Sequence, residues 1–361
     1  MSTRRVVAAV ALALAFASGL MGGWWTGAAA AGRTRHAGTR TTGSGTSASA
    51  TVTATTITEP VVTVVNPPPA GARRLPGTGK PPIELGDLAS PQQFIIGQLY
   101  QLALQHEGYT IYLTRNVGVP AIRTSAVLHG TLDVYPESLG EWNSAIAHLH
   151  RRFASVRAAY RAASAYARRH GFVLLPPTPF SSTSCVAVLA QYAAANHIHT
   201  LAQLARAGGV ILGVPAEFEY INDGVPALEH AYHLHPGYVQ SIGVGLQYWW
   251  LGSGNVQAAY CNTTDPQLSG RAYVALSDPK QIFGHGNIVP VTTPRVLRRE
   301  GPVFARTIER VDRLLTLQAM RGLNAEYSLS GHGPTSIAYQ FLEGNGILPP
   351  SRFAPVGSGA G

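Results

Sequence analysis

IELGDLASPQQFIIGQLYQLALQHEGYTIYLTRNVGVPAIRTSAVLHGTLDVYPE, residues Ile83 to Glu137, reads as strand, helix, strand, helix, strand. The first helix is marked at both ends. Ser90 can cap it, Pro91 suits its first position, and Gln93 stands where a capping box takes Glu or Gln. Gly108 then stops it. Ile95, Leu99, Leu102 and Ala103 recur at helical spacing, so one face is buried. A second helix opens near Pro120 and stops at Gly130. Strands alternating with helices this closely imply right-handed crossovers and a parallel sheet, hence an α/β fold. Ligands of such sheets sit beyond the carboxyl ends of the strands, and Asp133-Val134-Tyr135 stands at one of those ends.

At 361 residues the chain exceeds what one core usually holds, which favours two lobes. Charged residues make up only 12% and hydrophobic ones 45%, the balance of a globular protein. The net charge of +9 comes almost wholly from arginine, with six between Arg151 and Arg169 and six between Arg295 and Arg313. No base-stacking or groove-reading motif accompanies them, so solvated helix faces are expected rather than a nucleic-acid surface.

Arg4 and Arg5 precede the uncharged run Val6 to Trp25 and the small residues Ala28-Ala29-Ala30, the charge order of an export signal. The run is also long enough to span a bilayer, so residues 1–31 read as a signal peptide or a retained signal anchor. Residues 32–80, rich in Thr, Ser, Gly and finally Pro, read as an extended linker. About 50 such residues span on the order of 40 Å. Cys185 and Cys261 fall in two expected strands; they pair as a disulfide in an exported protein, or are two small buried apolar residues.

Further along, Asn143 to His170 reads as one long helix and Phe172 to Leu175 as a strand. A second lobe then has its own alternation: strand and helix over Ser184 to Ala195, a helix from Thr200 to Gly208, a strand at Val210 to Val214, a helix opened by Asp223, a short helix at Gly245 to Leu251 and a strand at Val256 to Cys261. The chain returns to the first lobe across Tyr273 to Leu276, and helices at Arg295 to Arg321, Ala325 to Leu329 and Pro334 to Glu343 close it. The expected plan is residues 81–178 and 272–348 in lobe 1, 179–271 in lobe 2, and a disordered tail over 349–361. Two crossings between lobes make a hinge with a cleft.

The run GTLDVYPESLGEW resembles the "G-x-x-D-[LV]-Y-P-E-Y-x-G-T" segment of substrate-binding proteins of osmoprotectant ABC importers, the glycine betaine, choline and carnitine binders. PTPFSSTSCVAVL (177–189), LGVPAEFEYINDGVPALEHAY (212–232), GVGLQYWWLGSGNVQAAYCNTTD (243–265) and ALSDPKQIFGHGNIVPVTTPRVL (275–297) keep the family's order. The resemblance implies a two-lobed, periplasmic-binding-protein-like fold of type II, each lobe a mostly parallel sheet flanked by helices. It also implies an extracytoplasmic receptor that hands a quaternary ammonium compound to a permease driven by a separate ATPase subunit. The chain is expected to act as a monomer.

A quaternary ammonium has no hydrogen-bond donor, so its site relies on cation attraction to aromatic faces, each worth ~0.5–2 kcal/mol. Tyr135, with Asp133 beside it, stands in the motif's aromatic slot; Phe218 and Tyr220 follow a strand end; Tyr260 lies in a segment resembling the family's "D-A-[YF]-x-T-D". The alternative for each is a packing role. Ser182 and Thr183 match a polar "N-N-T" turn and can bond a ligand or cap the next helix, while Asn262 and Thr264 complete the polar set. Four departures stand out: Asp87 where the family's lysine-bearing "S-K-x-F-T-E" begins, Glu219 and Ile221 beside Phe218, and Asn262 in an aromatic slot. The loss of that lysine favours a guest without a carboxylate, such as choline, or an unrelated polar cation. Tyr248 in GLQY resembles "G-L-R-Y", with packing its ordinary role.

Thirteen histidines are present, but His148/His150, His197/His199 and His230/His233/His235 lack partner carboxylates at catalytic or metal spacing, and no G-x-S-x-G, H-E-x-x-H or P-loop occurs. No catalysis, metal or cofactor is expected. The alternative reading is a cell-surface sensor or interaction module that keeps the fold without serving uptake.

Overall fold

The computed structural model describes residues 74–350. The expected signal segment at 1–31, the linker up to residue 73 and the tail beyond residue 350 lie outside the described residues. The first part of the chain runs β1 (Ile83–Gly86), α1 (Pro91–His106), β2 (Ile111–Thr114), α2 (Pro120–His129) and β3 (Tyr135–Ser138). The short α3 (Leu139–Glu141), a π-helical turn (Trp142–Ile146), α4 (Val156–Arg169) and β4 (Val173–Leu174) follow. β1 and β2 pair in parallel, and Leu85 bridges Val134 in parallel.

Helix α1 starts as its sequence dictates: the Ser90 hydroxyl accepts the Gln93 amide, and Pro91 occupies the first turn. Ser90→Ala is expected to lower stability by about 1 kcal/mol, read as a drop in melting temperature. The helix buries Ile95, Leu99 and Tyr100 against Phe304, Ile308 and Val311, in a core that also holds Ile83 and Leu85.

The next part carries β5 (Ser184–Leu189), α5 (Ala190–Asn196), α6 (Leu201–Ala207), β6 (Ile211–Val214), α7 (Val225–Tyr232), β7 (Tyr238–Ser241), α8 (Gln247–Gly252), β8 (Ala258–Asn262) and β9 (Tyr273–Ala275). These strands form one sheet in the order β7-β6-β8-β5-β9. Alternate residues of β5 enter different cores: Val186 and Val188 pack with Leu212 and Phe218 on one face, Cys185 and Ala187 with Tyr248 and Leu251 on the other. Cys185 and Cys261 stand directly opposite in antiparallel β5 and β8 and are joined by a disulfide.

β10 (Ile288–Thr292), α9 (Pro294–Glu300), α10 (Pro302–Leu314), α11 (Leu317–Ser328) and α12 (Pro334–Gly344) complete the chain. β10 lies between β3 and β4 and runs antiparallel to both, while β5 runs antiparallel to β8 and β9. The sheets are therefore mixed rather than mostly parallel. A strand that returns from the other half of the chain need not follow a right-handed crossover, which is where the extrapolation from Ile83–Glu137 ends.

Two other expectations change. The helix expected over Asn143 to His170 is broken: His148 takes a left-handed φ of 53°, and Ser155 starts α4 afresh by accepting the Ala158 amide. The run Arg295 to Arg321 is three helices, because Gly301-Pro302 stops α9 and Thr316 caps α11. Strand β7 has no counterpart in the sequence reading.

The two passages between the halves of the chain lie side by side. Leu175 donates to Pro290, Thr178 to Ile288 and Ser182 to Gly286, and the Asn287 side-chain amide donates to the carbonyls of Thr178 and Phe180. Helix α11 adds a clasp, with Arg321 donating to the Thr263 and Leu268 carbonyls and Asn324 to the Thr264 carbonyl. Among the described residues no helix is long and apolar enough to cross a membrane.

Candidate functional site

A cavity of about 690 Å³ opens beside these passages. Its walls come from three places: Ser138 at the end of β3 with Gly140, Glu141, Asn143 and Ser144 after it; Ser182, Thr183 and Ser184 at the entry to β5, with Asn222 and Asp223 after β6; and Ile282, Phe283, Gly284, His285 and Gly286 before β10. The segment from Leu149 to Phe153 closes one side. Two turns shape it. The π-helical turn, a local widening often found at functional sites, places Asn143 and Ser144 in the wall. Gly286 sits so close to the Ser182 carbonyl that a Cβ would lie 1.9 Å from its oxygen, so only glycine allows the two passages to approach here.

Behind this wall lies a buried ion cluster. The Arg123 guanidinium, 3% exposed, donates from Nε to Glu137 at 2.7 Å and from Nη1 to the Gly118 carbonyl at 2.8 Å, and its Nη2 is 3.0 Å from Glu141. Its carbon lies 5.8 Å from the Tyr135 ring centroid. Burial pushes the Glu137 carboxyl up to about 7, while Arg123 and the Ser138 amide pull the other way. Glu141 is thus oriented from behind while it faces the cavity.

Strand alternation explains where Tyr135 goes. Tyr135 and Glu137 project to one side of β3 and Ser138 to the other. Tyr135 is wholly buried with Leu139, Trp142, Val289 and Val291, and it is not among the cavity-lining residues. The position that does reach the cavity is Ser138, where the family segment quoted above has a second aromatic. Asp133 is also turned inward: it accepts the Glu84 amide at 2.9 Å and pairs with Arg299 at 2.9 Å. Asp87 is buried, takes the Asn116 amide at 2.7 Å and is bridged by Arg115 at 3.4 Å, so it pins the loop after β2.

The polar residues expected from the second part of the chain form one network. Asn262 Oδ1 accepts from the Ser182 hydroxyl at 3.0 Å, from the Thr264 hydroxyl at 2.8 Å and from the Thr264 amide at 3.0 Å. Ser182 and Thr183 reach the cavity; Asn262 and Thr264 stand behind them. The aromatic residues form a chain. The Tyr260 and Phe218 rings are 5.0 Å apart, Phe218 and Phe283 are 6.2 Å apart, and Phe283 lines the cavity. Tyr220, on the loop after β6, is 78% exposed. Phe283 was missed in the sequence although it sits inside the motif-bearing stretch 275–297, because an aromatic in a Gly-rich loop carries no periodic signal. Tyr248 donates to Asp265 at 2.9 Å and packs against Tyr273. Among the described residues no group of three or more His, Cys, Asp or Glu side chains could hold a metal.

The sequence profile of the substrate-binding domain of the ABC-type glycine betaine transport system matches residues 81–344. The chain belongs to this family. Glycine betaine substrate-binding domains of this kind include, at 26% identity over 288 residues, the glycine-betaine-binding protein of Pseudomonas aeruginosa, covering 76% of this chain and 92% of that one. The glycine betaine-binding protein YehZ of Escherichia coli K12 is 26% identical over 287 residues, covering 75% and 93%. The carnitine transport binding protein OpuCC of Listeria monocytogenes is 22% identical over 283 residues, covering 75% and 89%. Among solved structures, a glycine betaine/carnitine/choline ABC transporter protein superposes with a TM-score of 0.68 at 21% identity, over 73% of this chain and 99% of that one. Apo YehZ from Escherichia coli does so with a TM-score of 0.65 at 24% identity, over 74% and 99%. The fold is that of type II periplasmic binding proteins, and the protein is a solute-binding component of an ABC transporter, not an enzyme.

Proposed function

We propose that the protein is the extracytoplasmic receptor of an importer for a quaternary ammonium compound, of the choline or glycine betaine kind, held between two lobes of about residues 81–178 with 272–348 and 179–271. The observation that carries this is the position of the cavity: the segment that follows the Y-P-E motif and the Ser182-Thr183 turn form facing walls of one space. Glu141 and Asp223 bring carboxylates to this space, which attract a cation without needing a donor from it, although Arg151 and Arg152 line the same cavity and Arg123 pairs with Glu141. Phe283 offers a ring backed by Phe218 and Tyr260, and Tyr220 is placed on an exposed loop that reaches the guest as the lobes close about the paired passages. Ser182 and Thr183, held by Asn262 and Thr264, bond the polar end of the guest. Tyr135 enters this proposal as the residue that positions Arg123, since a guanidinium already covers its face. Asp133 supports the wall through Arg299.

Calorimetric titration with choline, glycine betaine and carnitine tests the reading. At least one is expected to bind saturably, and Tyr220→Ala is expected to weaken it roughly tenfold at an unchanged melting temperature, because the ring is exposed in the unliganded protein. No heat with any of the three, or an affinity indifferent to Tyr220, would remove the proposal. The second reading, a surface sensor or interaction module, draws on the occupied face of Tyr135 and on Ser138 in an aromatic slot. It is chosen if none of the amines binds.

A further inference from the structure

Helix α4 carries an unusual distribution of charge. Arg157, Arg161 and Arg168 fall within about 40° of one another around the axis at ~100° per residue, and along it they extend over about 16 Å. All three are exposed, as is Arg169 at the end of the helix; Arg151 and Arg152 ahead of it are exposed too but line the cavity. No Asp or Glu occurs anywhere between Glu141 and Glu217. Glu309, whose field reaches Tyr160 on the inner side of α4, is itself turned to Arg313 at 3.9 Å. No ion pair among the described residues involves Arg157, Arg161, Arg168 or Arg169.

The other arginine-rich stretch behaves differently. Between Arg295 and Arg313 the sequence also holds Glu300, Glu309 and Asp312, and Arg299 and Arg313 are paired to carboxylates. An ordinary solvated helix face mixes signs in that way. The α4 face does not: among the described residues no carboxylate pairs with it, and it presents like charges that an anion can meet.

We propose that this face docks on a bilayer rich in anionic phospholipid. Three guanidinium groups in a line of about 16 Å are too far apart for one small anion, whereas a plane of phosphates meets all of them, each through arginine's planar fork. Nucleic acid is less well matched, because the tyrosines of α4 are not free to stack on bases: Tyr160 donates to the Leu174 carbonyl at 2.8 Å, and Tyr166 is stacked on His170 at 3.9 Å. Seventy-three residues precede the described chain, among them the uncharged run Val6 to Trp25. That run is the one expected from the sequence to be a signal peptide or a retained signal anchor, and an anchored chain would work next to a membrane. This proposal does not depend on which solute binds.

The test is partitioning of the full chain onto vesicles of phosphatidylcholine alone or with phosphatidylglycerol, in low and in raised salt. The ratio between the two compositions is read, since insertion of the apolar run contributes to both alike. A contribution of roughly fivefold per arginine predicts that R157E/R161E/R168E lowers that ratio by roughly a hundredfold or more in low salt. The wild-type ratio is expected to collapse as the Debye length shrinks. The charge-matched variant R206E/R271E/R298E, whose arginines are also exposed, is expected to retain most of it. An equal fall in both triple variants would assign the effect to net charge and overturn the proposal. So would a wild-type ratio near one, or tighter binding to a single-stranded oligonucleotide than to the anionic vesicles. Arg161→Gln, which replaces one exposed side chain, gives the same reading with a smaller expected change if a triple variant fails to fold.

Discussion

Arg123→Ala is expected to destabilise the protein by about 3–5 kcal/mol at pH 8, a drop in melting temperature on the order of 10 °C. The loss comes less from the contacts of the arginine than from what it leaves behind. Glu137 is wholly buried, and its remaining donor is the Ser138 amide at 2.8 Å. Burial already holds the Glu137 carboxyl up to about 7, against an ordinary value of 4.5, while Arg123 pulls it down. Without that cation the folded-state value rises further. A carboxyl raised in the folded state stabilises the fold fully below its unfolded value and loses that contribution as pH rises through its folded value. The deficit of Arg123→Ala is therefore expected to be largest above pH 8 and to shrink towards pH 5, where Glu137 is protonated in the variant. Arg123→Ala/Glu137→Gln should recover much of the loss at pH 8. A deficit that is the same at pH 5 and pH 8, and that Glu137→Gln does not relieve, would show that the arginine matters only by packing. The same substitution frees Glu141 in the cavity wall, so the affinity for a cationic guest is expected to change together with stability.

The expected boundaries were most accurate where chemistry is local. Ser90, Pro91 and the apolar spacing of α1 define that helix without help from the rest of the chain, and Thr200 does the same for α6. Within the motif stretches, Ser182, Thr183 and the residues just after Tyr135 line the cavity, whereas Tyr135 itself does not. What was not legible depends on partners distant in sequence. Tyr135 reads as a strand-end residue, but β3 continues by pairing with β10, more than 150 residues away, and that pairing encloses the ring. The ion pair of Arg123 with Glu137 joins a helix to a strand and has no local signature. Helix α4 illustrates the opposite limit: its arginine spacing is visible in the sequence, but that its arginines form no ion pair among the described residues is a property of the folded surface. Strand β7 was missed because Tyr238–Ser241 is an exposed edge strand whose burial does not alternate, so it lacks the period-2 pattern by which strands are recognised.

Asp312→Asn is expected to stabilise the protein at pH 8 by on the order of 3–5 kcal/mol while leaving it within about 1 kcal/mol of wild type near pH 4. Asp312 lies on α10, buried against α1, where Oδ1 accepts from the Tyr100 hydroxyl at 2.5 Å and Oδ2 has no hydrogen-bond partner among the described residues. Burial pushes its carboxyl from the ordinary 3.8 up to about 8, with the Tyr100 hydrogen bond and the Arg313 charge opposing and the Glu309 charge assisting. The folded protein thus holds a proton that the unfolded chain releases. Between pH 4 and pH 8 each unit costs up to about 1.4 kcal/mol of stability. Asparagine carries no such proton and can accept the same Tyr100 hydrogen bond through Oδ1, so its stability lacks this component of the pH dependence. Glu137 produces a slope of the same sign, but only up to about pH 7, and it is present in both proteins. The difference between the two melting profiles therefore isolates Asp312: it should widen from pH 4 and level off near pH 8. Profiles that stay parallel across that range would mean that Asp312 is ionised in the folded state, and that the Tyr100 hydrogen bond and the Arg313 charge outweigh its burial.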